Sequence, residues 1–154
     1  TGTHQTTQLC MKAIEKYLKK GDTVADIGTG SGILSICAMK FGAASAYGCD
    51  IDDTVIDVCR ENAKINGIDT DSENALVKFE LNTADKITEK FDFVCANILH
   101  NVLAEIMGDL KNIMKDDAKM SLSGILDEKK PVVLEAIERE GLKIIDTISQ
   151  ENST

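Results

Sequence analysis

Asp26-Ile27-Gly28-Thr29-Gly30-Ser31-Gly32 is the stretch that decides how this chain folds. The residues at 23–27 read as a strand, and those at 31–40, rich in Ile, Leu, Ala and Met, as a helix. Three alternating glycines therefore stand where a strand turns into a helix. Glycine lets the backbone turn tightly and approach a neighbour where any Cβ would clash. The helix start beside it offers N–H groups that have no partner in their own helix. The spacing is G-x-G-x-G, whereas a dinucleotide site takes G-x-G-x-x-G so that a helix start meets a pyrophosphate. An acid directly before the glycines repels a pyrophosphate and suits a ligand that carries an ammonium group. A tight turn without a ligand has the same glycine pattern, so the loop alone does not establish a site.

The flanking sequence repeats the alternation. Residues 46–50, 75–81, 91–96, 119–123 and 142–148 read as further strands, and residues 53–66, 99–114 and 128–140 as helices. Ile56, Cys59 and Ala63 share one face of the helix at 53–66, which Gly67 closes. Val102, Leu103, Ile106, Leu110 and Ile113 form the apolar face at 99–114. Six strands alternating with helices predict an α/β fold, a parallel sheet covered on both faces. Such sheets bind ligands at the carboxyl ends of their strands, here the loops after Ile27, Gly48 and Cys95.

Two more residues stand at those ends. Asp50 closes the second strand 22 residues beyond Gly28, the spacing at which an acid accepts hydrogen bonds from ribose hydroxyls. Of the acids that follow, Asp53 reads as a helix N-cap and Asp52 as a solvated loop residue. Asn97 ends the apolar run 91–96 and points into the same crevice. Its amide can accept from an amine and donate to a carboxylate, though an ordinary strand-end Asn looks the same.

Composition sets the outer limits. The chain has 154 residues, 43% hydrophobic and 28% charged, the profile of one globular domain rather than a disordered or fibrous chain. A net charge of −9 makes it a poor grip for a nucleic-acid backbone. No apolar run approaches the ~18 residues of a membrane span. Its five cysteines form no C-x-x-C pair, have no metal-ligand spacing with His4 or His100, and read as reduced core residues of a cytoplasmic protein. The chain opens at Thr1 rather than at Met and reads as a piece of something longer.

D-I-G-T-G-S-G followed by Asp50 resembles the cofactor site of class I S-adenosylmethionine-dependent methyltransferases. The opening Thr1-Gly2-Thr3-His4-Gln5-Thr6-Thr7 with Leu9-Cys10, then G-S-G-I-L-S-I, G-C-D-I-D, A-N-I-L and S-L-S-G-I-L, is more specific. It resembles the PrmA-type methyltransferases of large-subunit ribosomal protein L-eleven along almost the whole chain. The resemblance implies a doubly wound, Rossmann-like, mostly parallel sheet, of which six strands are visible and the usual seventh is not. It implies S-adenosyl-L-methionine as cofactor, held by Thr7, Asp26, Gly28, Thr29, Gly30, Gly32, Asp50, Ile51 and Asn97, with Asp26 near the ammonium, Asp50 on the ribose and residues 82–85 near the adenine. Asn97 would orient the amine, and His4 is the candidate proton acceptor, while His100 reads as structural. No metal is implied. The partner would be a ribosomal protein, with neither nucleic acid nor membrane bound directly, and the family's preceding substrate-recognition domain is absent.

One feature narrows the chemistry, and another departs from the family without bearing on it. Methyltransferases of planar adenine or glutamine amines carry N-P-P-Y where this chain has A-N-I-L. Gln5 replaces a frequent proline of the family. The competing readings are a class I methyltransferase of another protein or small molecule, a cofactor-binding module without catalysis, and a nicotinamide oxidoreductase.

Overall fold

The computed structural model describes residues 2–148, with side chains from Thr6 onward. Its elements run α1 (Gly2–Tyr17), β1 (Thr23–Ile27), α2 (Ile33–Lys40), β2 (Ser45–Asp50), α3 (Asp53–Ile65), β3 (Val77–Leu81), β4 (Phe91–Asn97), α4 (His100–Asn112), β5 (Met114–Ser123) and α5 (Lys130–Arg139), with single 3-10 turns at Ala84–Lys86 and Asp127–Lys129. The strands form one sheet in the order β3-β2-β1-β4-β5, and every neighbouring pair is parallel. Strand order reverses between β1 and β4, and the crevice above such a switch point is where this class of sheet takes its ligands.

Both faces are covered, as the alternation of successive side chains requires. Val24, Ala46, Val77, Phe79, Phe93 and Cys95 point to one face, where they pack with Cys10 and Ile14 of α1, Leu34 of α2 and Ile56 of α3. Ala25, Ile27, Cys49, Val94 and Ala96 point to the other, against Leu103, Met107 and Leu110 of α4 and Val133 of α5. All five cysteines are free and buried within these layers. Among the described residues no helix is long and apolar enough to cross a membrane.

One element was not anticipated, and three expectations are corrected. The opening segment is a helix, α1, whose apolar positions Cys10, Ile14 and Tyr17 recur at helical spacing and dock on the sheet. The N-cap of α3 is Asp52, whose carboxylate accepts from the Thr54 N–H at 3.0 Å, rather than Asp53. β5 begins at Met114, earlier than residue 119, because residues 115–118 bulge from the ladder where pairing jumps from Phe91↔Met114 to Phe93↔Lys119. Among the described residues the sheet has five strands, not six.

Residues 142–148 form no strand. A strand exists through the ladder it shares, and β5 is the last strand in that direction. The Leu142 N–H instead bonds back to the Ile137 carbonyl to close α5, and Ile144 and Ile145 are 48% and 62% exposed. Asp146 is held by Lys16 at 2.8 Å and by the Tyr17 hydroxyl.

Candidate functional site

β1 is hydrogen-bonded on both sides, to β2 and to β4, so the chain that leaves its carboxyl end enters the centre of the crevice. Asp26, next to last in β1, is 1% exposed. One carboxylate oxygen, Oδ2, accepts from the Thr29 hydroxyl at 2.8 Å and the Ser35 hydroxyl at 2.9 Å. Oδ1 is buried with no partner among the described residues. Burial pushes the Asp26 carboxyl above the usual carboxylate range, against the pull of the two hydroxyl bonds. A buried acceptor without a partner is costly to keep, which marks this atom as one to explain.

The glycines shape the loop above it. Gly28 has a φ of +72°, and a Cβ there would lie 2.4 Å from Cγ2 of Ile98, so the loops after β1 and β4 touch. The Gly28 and Thr29 N–H groups both donate to the Cys49 carbonyl at 2.9 Å. Gly32, at +82°, is the N-cap of α2, and a Cβ there would press within 3.0 Å of the Phe79 ring. Gly30, at +55°, faces open space, and its N–H donates to Oδ2 of Asp50 at 3.0 Å.

Asp50 ends β2, and its other oxygen accepts from the Asp52 N–H at 3.0 Å. Two backbone donors therefore fix the carboxylate while each oxygen keeps a lone pair for another donor. Ile51 beside it is 79% exposed. Asn82 follows β3; its N–H bonds to the Asp50 carbonyl at 3.1 Å and its side-chain amide donates to the Tyr47 hydroxyl at 3.0 Å. That hydroxyl donates in turn to Glu80 at 2.7 Å, and burial together with this bond pushes its pKa above the usual tyrosine value.

Asn97 ends β4 opposite Ser123 of β5. Gly124, at a φ of +78°, passes so close that a Cβ would lie 3.2 Å from the Asn97 side-chain oxygen. The Cys10 thiol donates to the Ser123 hydroxyl at 2.9 Å, which pins α1 at the carboxyl end of the sheet. Tyr17 lies at the amino end beside Asp22, so α1 runs antiparallel to the strands and its first turns rise past the crevice. Thr7 stands about 4.5 Å of helix above Cys10, at 1.5 Å per residue. The His4 side chain lies outside the described residues.

Asp26, Gly28, Gly30, Gly32, Asp50, Ile51 and Asn97 thus converge at one end of the sheet, with Thr7 on the helix beside it. Thr29 is turned inward: its side chain is 5% exposed and bonded to Asp26, so it supports that acid from within the loop. His100 opens α4. Sequence reasoning missed Gly48, where a Cβ would lie 2.7 Å from the Thr29 hydroxyl oxygen and from Phe79, and missed Gly124. Gly48 had a signal in its place two residues before Asp50, whereas Gly124 stands beside no recognised acid or amide in the sequence. Among the described residues no group of His, Cys, Asp and Glu could hold a metal ion.

A family model described as ribosomal protein L11 methyltransferase (PrmA) matches residues 1–153. A ribosomal protein L11 methyltransferase of Caldicellulosiruptor bescii is 42% identical over 147 residues, 95% of this chain and 46% of that protein. The crystal structure of a ribosomal protein L11 methylase from Lactobacillus delbrueckii subsp. bulgaricus superposes with a TM-score of 0.88 and 35% identity, covering 96% of this chain and 74% of that one. A Trypanosoma brucei PRMT1 enzyme-prozyme complex with AdoHcy aligns with a TM-score of 0.62 and 29% identity, covering 78% of this chain and 39% of that one. The chain spans about half the length of the curated relatives it matches.

Proposed function

The chain belongs to the ribosomal protein L11 methyltransferase (PrmA) family, and from that premise we propose that it is the S-adenosylmethionine-binding, methyl-transferring domain of a cytoplasmic protein methyltransferase that modifies lysine or N-terminal amino groups of ribosomal protein L11. The observation that carries the reading is the unpartnered Oδ1 of Asp26 beneath a left-handed glycine loop, flanked by Asp50 and Asn97 on the two neighbouring strands.

The residues present fit that cofactor. A carboxylate oxygen without a donor suits the ammonium of the methionine portion, directly or through a water. Glycines at 28, 30 and 32 leave room for a ligand to lie on backbone. Asp50, already oriented by two N–H groups, offers its remaining lone pairs to ribose hydroxyls.

When bound, the cofactor supplies an electrophilic methyl group on a sulfonium. The chain's task is then alignment. Asn97, fixed between Ile98 and Gly124, would accept N–H bonds from the incoming amine through its carbonyl oxygens, which turns the nitrogen lone pair toward the methyl. Leu99, 67% exposed beside it, presents apolar surface that disfavours the ammonium form and so eases loss of the lysine proton. Thr7 would close the crevice from α1, and His4, one helical turn earlier, would receive the proton.

Calorimetry on the full-length protein should show binding of S-adenosylmethionine, and radiolabelled methyl should pass to purified ribosomal protein L11. Tighter binding of NAD than of S-adenosylmethionine would sink the reading. Cofactor binding without transfer to any protein would leave a binding module in its place.

A further inference from the structure

The glycine loop has a mechanical problem that its own residues do not solve. Glycine gives up more conformational freedom on folding than any other residue, so a loop with three of them is soft unless something outside holds it. Holding it matters most at the Gly30–Ser31 peptide, because Gly30 has no side chain and nothing lies within 4 Å of where its Cβ would be, so only hydrogen bonds can fix that peptide plane.

α3 supplies the hold. The Cys59 thiol lies 2.9 Å from the Gly30 carbonyl oxygen, and the Asn62 side-chain amide lies 2.9 Å from the Ser31 carbonyl oxygen. The two donors are three residues apart and share one face of the helix. Cys59 is 0% exposed, and burial pushes its thiol up to about 11, so it stays protonated and able to donate at neutral pH. Opposite sides of the same loop are tied differently: the Gly30 N–H to Asp50 and the Gly32 N–H to the Thr29 carbonyl.

A trans peptide sets its carbonyl and the following N–H on opposite sides. With the Gly30 carbonyl drawn toward α3, the Ser31 N–H faces away from that helix, and Ser31 is exposed.

We propose that Cys59 and Asn62 are positioning residues for the cofactor, two donors on α3 that turn the Gly30 and Ser31 carbonyls away from the crevice and leave the Ser31 N–H facing it. The inference rests on the reading of this loop as the S-adenosylmethionine site. In it the N–H meets an acceptor on the methionine portion, and the donors on α3 act through the loop without touching the ligand. A Cβ added at Gly32 would lie 3.2 Å from the Cys59 Cβ, so α3 packs directly against the loop at the point where the thiol donates.

The test uses the full-length protein and two kinds of variant. Asn62→Asp keeps the shape of a half-buried side chain and turns the donor into an acceptor facing a carbonyl. It should raise the Kd for S-adenosylmethionine, measured by calorimetry, about tenfold, and raise the cofactor KM alike with kcat at saturation within about twofold. Cys59→Ala should raise the Kd about fivefold and Cys59→Ser, which restores a donor, should recover most of it. Unchanged cofactor affinity in Asn62→Asp, or a fall in thermal stability with no change in Kd, overturns the inference. No binding by the wild-type protein overturns the cofactor reading itself, and this inference with it. Binding by the wild type and equal binding by Asn62→Asp overturns this inference alone.

Discussion

Two aspartates sit at opposite ends of the same pair of strands and behave in opposite ways. Asp92, at the amino end of β4, accepts from the Thr23 N–H at 2.9 Å, the Thr23 hydroxyl at 3.1 Å and Lys115 at 3.3 Å. Asp26, near the carboxyl end of β1, is buried with one oxygen left over. The Thr23 N–H, ahead of the other partners, holds the Asp92 carboxyl below the usual carboxylate range, while burial holds that of Asp26 above it. The amino end spends its acids on joining strands. The carboxyl end leaves one carboxylate oxygen buried without a partner among the described residues, the atom to which the proposed reading assigns the cofactor's ammonium.

The same contrast runs through the surrounding surface. A cavity of about 320 Å³ does lie at the amino end, between Tyr17, Asp22, Asp92 and Lys115. Lys115, Asp116 and Asp117 of the bulged segment line it, and its walls mix charges of both signs. The carboxyl end instead presents the backbone of the glycine loop, with Asp26 and Asp50 bonded against it.

Substitutions can widen or erase the difference. The largest effect belongs to Asp50→Ala, which on the proposed reading removes the acceptor for two ribose hydroxyls: S-adenosylmethionine affinity should fall about 100-fold by calorimetry. An affinity within a few fold of wild type would mean the carboxyl end is not tuned to that ligand.

The next largest effect compares two left-handed glycines. Gly28→Ala places a Cβ 2.4 Å from Ile98, whereas Gly21→Ala, with a φ of +90° at the amino end, meets nothing within 4 Å. Both carry backbone strain of about 1–2 kcal/mol, but overpacking adds about 1–3 kcal/mol only at Gly28. Thermal unfolding should therefore fall roughly 2–10 °C further for Gly28→Ala than for Gly21→Ala.

A smaller effect is a difference of sign with pH. The Asp26 carboxyl is raised in the folded state, so its contribution is fully present below the unfolded value, 3.8, and is lost as pH rises through the folded value. Asp26→Asn should therefore gain on the wild type in melting temperature as pH rises above about 4. Asp92 is lowered, so its contribution is present above 3.8 and lost as pH falls through the folded value. The deficit of Asp92→Asn should accordingly shrink as pH falls below about 4. Parallel pH profiles for the two variants would abolish the distinction between the two ends. The smallest effect is that of Lys16→Ala, which breaks the exposed pair with Asp146 and should leave the melting temperature unchanged within error.

Much of the fold and most of the site are legible in residue type and spacing alone. Hydrophobic periodicity places β1 to β4 and the helices between them: β1 and β4 are buried on both faces and read as apolar runs, whereas β3 alternates buried Val77 and Phe79 with exposed Lys78 and Glu80. Edges are harder. β5 has no fully buried residue, so its first half, Lys115-Asp116-Asp117, shows no strand pattern, and residues 142–148 show one but pair with no strand among the described residues. The opening helix is hidden for another reason: its first turns carry a T-H-x-T-T motif that draws attention as a loop, while the helical signal lies later, at Cys10, Ile14 and Tyr17.

The sequence by itself determined the alternation of strand and helix, the glycine loop, and the acids and amide at the ends of three strands, because each is written locally in residue type and spacing. Only the tertiary structure decided that Asp26 is left with an unpartnered oxygen, that Cys59 and Asn62 of α3 reach the loop carbonyls, and that Gly124 lies against Asn97. Those contacts join residues from separate elements, 29 and 31 positions apart for the two bonds from α3 to the glycine loop. Such distances carry no periodic signal; they are set by how helices pack on a twisted sheet, and packing is a property of the whole fold.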